Sequence, residues 1–409
     1  MPERRVVTQN IGKIEPNDMA SYLEYEGFAA LKEATDNMPP ERIIEEVKAS
    51  GLQGRGGAGF NCGLKWELAR KAGGKEKFLI VNADEGEVGT FKDRFLMEND
   101  PFTLIEGLAI AGRAIGAKTA YIYLRAEYHY LVKNLLKALS QAKEHGFLPG
   151  LEVRLVEGAG AYICGEESAL MNSIEGLRGE ARFKPPFPPE SGLWQSPTII
   201  NNVETLMNVP RIILNGPEWF SEIGTENSKG TKLFSVSGDV ARPGVYEMVM
   251  GSSLKELVLD LAGASEVKLV QLGGASGRII PMDRLDTPLS YETVLGSGAV
   301  TVFDRTRDVL DIVHRTIEFL AEESCGKCAP CREGTEAMME ILSRLTQGEG
   351  MASDIDALQD LSRAMADSSL CGLGQSAPIP VMDTLNHFRR DYENRIEQSR
   401  VLRHLGSFH

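Results

Sequence analysis

The stretch FLIVNADEGE, residues 78–87, decides the fold class. Phe78-Leu-Ile-Val81 is a short apolar run with β-branched residues, as expected of a strand buried on both faces. Downstream of this run, the pattern alternates. A helix is predicted across 102–116, a strand at Thr119–Leu124, a helix across 126–144, a strand at Leu151–Val156, and a helix opening near Gly165. Strands alternating with helices predict a parallel or mostly parallel α/β sheet, which binds ligands outside the carboxyl ends of its strands. Asn82, Asp84, Glu85 and Glu87 fall at such an end. They could accept hydrogen bonds from ligand hydroxyls, or form a solvated acidic turn.

Upstream, residues 18–50 read as two helices, the second with Pro40 early and Gly51 just past its end. The loop Gly54-Arg55-Gly56-Gly57-Ala58-Gly59 matches G-x-G-x-x-G, but a helix precedes it where a dinucleotide fingerprint needs a strand. Its bare N–H groups could still approach a phosphate, with Arg55 adding charge. A merely flexible turn is the alternative. Tyr162-Ile-Cys164-Gly165-Glu166-Glu167 opens a helix, where the dipole alone favours acids. Asn201-Asn202-x-x-Thr205 is a helix cap or a polar clamp. The prolines of Phe183-Lys-Pro-Pro-Phe-Pro-Pro189 forbid helix and central strand, so this is a rigid extended loop.

Residues 231–305 change character. Short β-rich pieces at 232–237, 244–248, 267–272 and 299–303 surround one helix over 254–261, which predicts a small α+β domain of β-grasp type. It shows no chemistry and is expected to be a spacer or interface. Helices are predicted beyond it at 306–322, 332–346, 353–367 and 380–397.

Four of the six cysteines gather here, as Cys325-x2-Cys328-x2-Cys331 with Cys371. Three thiolates two residues apart can take three corners of a cubane cluster, a distant cysteine the fourth. Zinc usually takes two separated pairs, so a 3+1 set favours [4Fe–4S]. The alternatives are a zinc site or reduced buried thiols. Cys62 and Cys164 read as buried thiols without a neighbouring His, and the histidines are scattered.

Composition narrows the function. With 44 basic and 58 acidic residues the net charge is −14, and no basic block exists for nucleic acid or anionic lipid. The longest apolar run, 102–117, is interrupted by Glu106 and Arg113, which argues against direct membrane insertion. No apolar segment follows the basic residues of the N-terminus, so a cytoplasmic location is expected, at the inner face of a membrane only through a larger complex.

Six motifs together resemble one family: GRGGAGF at 54–60, NADEGE at 82–87, GAYICGEESAL at 160–170, RFKPPFP at 182–188, INNVET at 200–205 and SCGKCAPCREG at 324–334. It is the flavin- and NADH-binding subunit of respiratory complex I (the "51 kDa" type), with relatives in NAD-linked hydrogenases and formate dehydrogenases. The resemblance covers residues 40–395. It implies a Rossmann-like FMN- and NADH-binding domain at 1–230, a β-grasp (ubiquitin-like) domain at 231–305 and a helical [4Fe–4S] domain at 306–409. FMN would lie across Gly54, Arg55, Gly56, Gly57 and Lys65, with further contacts from Asn82, Asp84, Glu85, Tyr162, Gly165, Glu166, Asn201, Asn202 and Thr205. NADH would be held by Phe60, Glu87, Glu167, Lys184 and Phe187. Cys325, Cys328, Cys331 and Cys371 would ligate the cluster.

The implied activity is hydride transfer between NAD(H) and FMN, then one-electron transfer through the cluster. NADH is expected over NADPH, because Glu167 near the adenosine ribose would repel a 2′-phosphate. Phe60-Asn61-Cys62-Gly63 departs from the F-P-T-G of many relatives, and the sequence around Trp194 and after Cys371 looks closer to the hydrogenase and formate dehydrogenase branch. With no further cysteines after Cys371, electrons are expected to leave through partners: a small [2Fe–2S] thioredoxin-like subunit and a larger iron–sulfur, hydrogenase or formate dehydrogenase subunit. Two other readings stand beside this one: an electron-bifurcating subunit coupling NAD(H) to ferredoxin, and a non-enzymatic, zinc-stabilised nucleotide-binding scaffold.

Overall fold

The computed structural model describes residues 3–406 except Lys75 and Val294. The outer ends of the expected first and third domains, 1–2 and 407–409, lie outside the described residues. A four-stranded, all-parallel sheet is built from β1 (Phe78–Ala83), β2 (Thr119–Leu124), β3 (Glu152–Glu157) and β4 (Thr198–Asn202), in the order β3-β2-β1-β4. The strand period of two sorts its side chains into two cores. Leu79, Val81, Ala83, Ala120, Ile122, Leu124 and Ile199 pack among the helices Pro101–Ile115 and Val203–Asn215. Phe78, Ile80, Tyr121, Tyr123 and Ile200 face the opposite way, in one core with Leu310, Val313 and Ile317 of the helix Val309–Glu322. Helices therefore cover both faces, as a parallel sheet requires.

Strand β4 carries no sequence signal of its own. Only Ile199 and Ile200 are strongly apolar, and its register against β1 (Phe78↔Thr198 to Asn82↔Asn202) supplies what local propensity does not. The helices Cys62–Lys71 and Lys92–Asn99 were likewise not expected, whereas Val203–Asn215 follows the helix-cap reading of Asn201-Asn202. The two helices expected over 18–50 are three: Met19–Glu24, Ala29–Asp36 and Pro40–Ala49. The first break falls where a Cβ on Gly27 would lie 2.2 Å from the Tyr22 ring and Phe28 takes φ 59°.

A second, mixed sheet has β5 (Thr231–Gly238), β6 (Gly244–Val249), β7 (Val267–Leu272), β8 (Arg278–Pro281) and β9 (Ala299–Asp304) in the order β6-β5-β9-β7-β8. β5 and β9 pair in parallel, and the other ladders are antiparallel. The expected helix over 254–261 forms as a π-helical turn, Glu256–Leu261, whose Leu257 and Val258 pack on Phe234, Val270 and Val302.

The C-terminal region is helical: Val309–Glu322, Ala329–Thr346, Ser353–Ser368, Gly372–Ser376, Ile379–His387 and Arg389–Gly406. The single helix expected over 380–397 breaks at Phe388, which leaves the helical region at ψ 31°. Arg278 of β8 makes a bidentate pair with Asp383 (2.7 and 2.9 Å), and Asp383 also accepts from Ile279 N, fastening the mixed sheet to the helices. Among the described residues, no helix is long and apolar enough to cross a membrane.

Candidate active site and thiol centre

A cleft of about 780 Å³ opens beyond the carboxyl end of β1, in the size range of cofactor sites. All three regions of the chain line it: Gly56 and Asp84 from the parallel-sheet region, Tyr291 and Ser297 from the mixed-sheet region, Gly372 and Gln375 from the helices. Of the residues singled out in the sequence, Gly56, Gly57, Asn82, Asp84, Glu85, Glu87, Tyr162, Gly165, Glu166 and Asn202 form its walls.

The glycine loop is fixed from behind. Thr205 Oγ1 accepts from Arg55 N (2.8 Å), Gly54 O accepts from Tyr291 OH (2.6 Å), and Arg55 O accepts from Lys232 Nζ (2.7 Å). Arg55 is fully buried, and its guanidinium donates to Lys229 O and Tyr291 OH, so its charge sits beneath the loop. Two glycines are required by space. A Cβ on Gly56 would stand 3.0 Å from that of Asn202, and one on Gly59, at φ +66°, 2.7 Å from the Tyr291 ring.

Deeper lies a buried ionic cluster. Lys92, on the cleft wall, pairs with Asp93 (2.7 Å) and Glu204 (2.8 Å), while Glu204 Oε1 accepts from Leu233 N. Lys232 bridges Arg55 O and Ser297 O, tying the glycine loop to the opposite lip. Burial pushes Lys232 down to about 7, with Glu204 opposing. Asn201 is spent on structure, its Oδ1 accepting from Trp66 Nε1 (2.8 Å) and its Nδ2 reaching Cys62 Sγ. Asn202 caps the helix Val203–Asn215 through Glu204 N and donates to Asp93 (2.6 Å).

The acids differ in their partners. Burial pushes Asp84 up to about 7, with Arg125 opposing, and its Oδ2 is buried without a partner. Burial also pushes Glu87 up to about 7, although it accepts from Tyr162 OH (2.8 Å) and Ala275 N (2.7 Å). Glu85 accepts from Asp93 N, Arg94 N, Tyr128 OH and Thr90 Oγ1 and so organises the corner. Asn82 donates to Gly165 O (3.0 Å), joining β1 to the 162–165 turn.

A rim of opposite charges stands beside these acids. Lys184 donates to Glu167 (2.6 Å) and Glu166 (3.1 Å), and Lys65 lies 3.5 Å from Glu167 and donates to Ile200 O. Burial alone would raise Glu167, but Lys65 and Lys184 outweigh it and hold its carboxyl below the usual range. Phe60 and Phe187 are each about half exposed, Phe60 next to Gly59 of the cleft wall and Phe187 on the proline strap.

The region 231–305 is more than a spacer. Gly273, Ser276, Gly277, Tyr291, Gly296 and Ser297 make one side of the cleft. The only hint in the sequence was the glycine pairing around Gly273-Gly274 and Gly296-Ser297-Gly298. Lys92 and Asp93, buried at 1% and 3% exposure, carried no motif that would have marked them.

Cys325, Cys328, Cys331 and Cys371 line one small void with Ser324, Lys327, Leu370, Ala181, Ile163 and Leu373. Among the described residues no three His, Cys, Asp or Glu side chains converge on a single-ion point, and these thiols face a shared space instead. The turn around it depends on Gly326 at φ +74°. Cys331 Sγ lies 3.3 Å from Ser324 Oγ, and Cys328 Sγ accepts from Leu370 N (3.5 Å). Such N–H and O–H donors around thiolate sulfurs suit an iron–sulfur cluster. Ile163 and Leu373 line both this void and the cleft, so one layer of side chains separates them.

The "Nuo51 FMN-binding domain" family matches residues 47–211, and the "NADH-ubiquinone oxidoreductase-F iron-sulfur binding region" matches 311–395, which holds all four of these cysteines. An F-type NADH-quinone oxidoreductase subunit of Rhizobium meliloti is 43% identical over 97% of this chain and 98% of its own. The chain belongs to this family. Within it, the NADP-reducing hydrogenase subunit HndC of Solidesulfovibrio fructosivorans is 41% identical over 98% of this chain and 85% of its own. A solved NAD+-reducing [NiFe]-hydrogenase in the H2-reduced state superposes with a TM-score of 0.87 at 41% identity, over 92% of this chain and 66% of that one. The family membership makes this chain an oxidoreductase subunit with an FMN-binding domain and a [4Fe–4S] region, and it sets aside the zinc scaffold.

Proposed function

We propose that the cleft is where NAD(H) meets FMN, and that electrons leave it across Ile163 and Leu373 to the four-cysteine centre. The observation that carries this is the wall of Ile163 and Leu373 shared by the cleft and the four-cysteine void. FMN, when bound, supplies the chemistry that accepts a hydride and releases electrons singly.

The chain's own residues position and shield. The cradle of Gly56 and Gly57 suits a phosphate, because its N–H groups can meet the ligand without Cβ hindrance, with the buried charge of Arg55 beneath the loop and Lys92 on the cleft wall. Thr205 Oγ1 at Arg55 N and Tyr291 OH at Gly54 O hold that cradle from behind, while Asn201 is bonded to Trp66 instead. The orphaned Asp84 Oδ2 is the acceptor a polyol hydroxyl would satisfy, with Asn82, Glu85, Tyr162, Gly165 and Asn202 around it. Glu87, Glu166, Glu167, Lys65 and Lys184 form the polar rim for the nicotinamide nucleotide, and Phe60 and Phe187 offer exposed rings for stacking. No side chain need move a proton at the hydride step, so positioning is the protein's contribution.

The strand order β6-β5-β9-β7-β8, with its central parallel pair and one short helix, supports a β-grasp reading of 231–305 between the units 1–230 and 306–409. We also infer that the chain works inside a larger assembly. Partners in that assembly would be a small [2Fe–2S] thioredoxin-like subunit and a larger hydrogenase, formate dehydrogenase or other iron–sulfur subunit. The hydrogenase relatives support this reading, and a cytoplasmic setting goes with it.

Nucleotide choice tests the rim. Glu167→Gln is expected to raise the NADPH/NADH ratio of kcat/KM by about tenfold, equivalent to about 1.4 kcal/mol, by removing a charge that opposes a 2′-phosphate. An unchanged ratio in steady-state kinetics contradicts this placement of Glu167.

A further inference from the structure

Lys327 stands between two of the thiols, Cys325 and Cys328, and lines their void. Its ammonium donates to Ala181 O (2.8 Å) and Glu180 Oε1 (3.0 Å) and lies 5.5 Å over the Phe183 ring. All three partners belong to the segment leading into the proline strap, which does not swing freely. Arg182 N donates to Ser168 Oγ, and its guanidinium donates to Asn172, Gly192 O and Glu175.

Two other cations touch the same turn, Arg178 at Cys325 O and Arg332 at Gly326 O. Both are exposed, so water screens them. The Lys327 side chain is only 25% exposed. A charge held in place at low dielectric acts strongly and needs no reorganisation when its neighbour's charge changes.

We propose that Lys327 is a positioning residue whose fixed positive charge raises the reduction potential of the cluster at Cys325, Cys328, Cys331 and Cys371, with Glu180 tempering it. The proposal rests on the cluster assigned above. A cluster that takes one electron gains one negative charge, and the nearby ammonium stabilises that form over the oxidised one. The carboxylate of Glu180 acts with the opposite sign. The pair therefore sets how readily electrons pass the Ile163–Leu373 wall, without either residue touching substrate.

The test is a potentiometric titration of the assembled protein, following the reduced cluster by low-temperature EPR, in wild type, Lys327→Met, Lys327→Arg and Glu180→Gln. At the wild-type midpoint, Lys327→Met is expected to lower the reduced-to-oxidised ratio about tenfold, about 59 mV for one electron. Lys327→Arg should stay near wild type, and Glu180→Gln should raise the ratio. A loss of fold would not produce opposite signs in the two halves of one pair. If Lys327→Met and Glu180→Gln shift the ratio in the same direction, or neither shifts it by about twofold, the proposal is overturned. Should Lys327→Met bind no iron, the direction of Glu180→Gln alone decides. A wild-type protein without a reducible cluster would refute the parent assignment instead, which iron content distinguishes.

Discussion

Cys325→Ala is expected to separate the two halves of the chain's chemistry. Cys325 sits in the loop between the helices Val309–Glu322 and Ala329–Thr346 and does not line the cleft, whereas the helix after Cys371 does. Removing Cys325 takes one of four thiolates from the centre while leaving the glycine loop, Asp84 and Glu87 untouched. The variant should therefore keep its flavin and still reduce it with NADH, but pass electrons onward at least about 100-fold more slowly, equivalent to about 2.7 kcal/mol in the barrier. Flavin content, iron content and rapid-mixing kinetics check this together. Loss of flavin reduction at the same time would mean that the two sites are not separable in the way the single shared wall implies.

Lys232→Met is the second substitution with a large expected effect. Two opposing contributions decide its outcome. Lys232 is fully buried and pushed down to about 7, so removing it relieves a desolvation penalty. It also strands the carbonyls of Arg55 and Ser297, at about 1–3 kcal/mol for each buried acceptor left unsatisfied. Glu204 keeps Lys92 at 2.8 Å, so no acid is left alone. The loss therefore concentrates at the two lips of the cleft. FMN should bind about 10–100-fold more weakly, while the cofactor-free chain unfolds at a similar temperature near neutral pH. The pH dependence has a definite sign. The folded chain releases the Lys232 proton near 7, whereas the unfolded chain keeps it to about 10.4. This residue's share of stability therefore grows as pH rises between those values, and Lys232→Met should lose that rise. Flavin-quenching titrations and thermal melts over a pH series measure both.

Much of the fold was legible because period and length sufficed. Strands β1, β2 and β3 alternate with helices strongly enough to specify a parallel sheet, and the β-rich pieces after 231 were visible as such. Strand β4 was not, because Ile199-Ile200-Asn201-Asn202 becomes a strand only by pairing with β1. The site divides in the same way. Glycine density, clustered acids and triple C-x2-C spacing are local and could be read. Lys92, Tyr291 and Ser297 reach the cleft, and Lys232 the carbonyls behind its two lips, only through tertiary packing, and nothing in their neighbours announces it. Arg55 shows the limit of a local motif. It looked like a charge aimed at a phosphate, yet its guanidinium is bound beneath the loop by Lys229 O and Tyr291 OH.

The central claim is that one layer of side chains, Ile163 and Leu373, joins a hydride-accepting cleft to a four-cysteine centre. Anaerobic mixing of the cofactor-loaded protein with NADH, followed by visible absorption and freeze-quenched EPR, tests it most directly. The expected result is bleaching of the flavin first and appearance of the reduced cluster signal next, within a single turnover and without added mediator. Flavin reduction with a cluster that stays oxidised until a mediator is supplied would contradict the account.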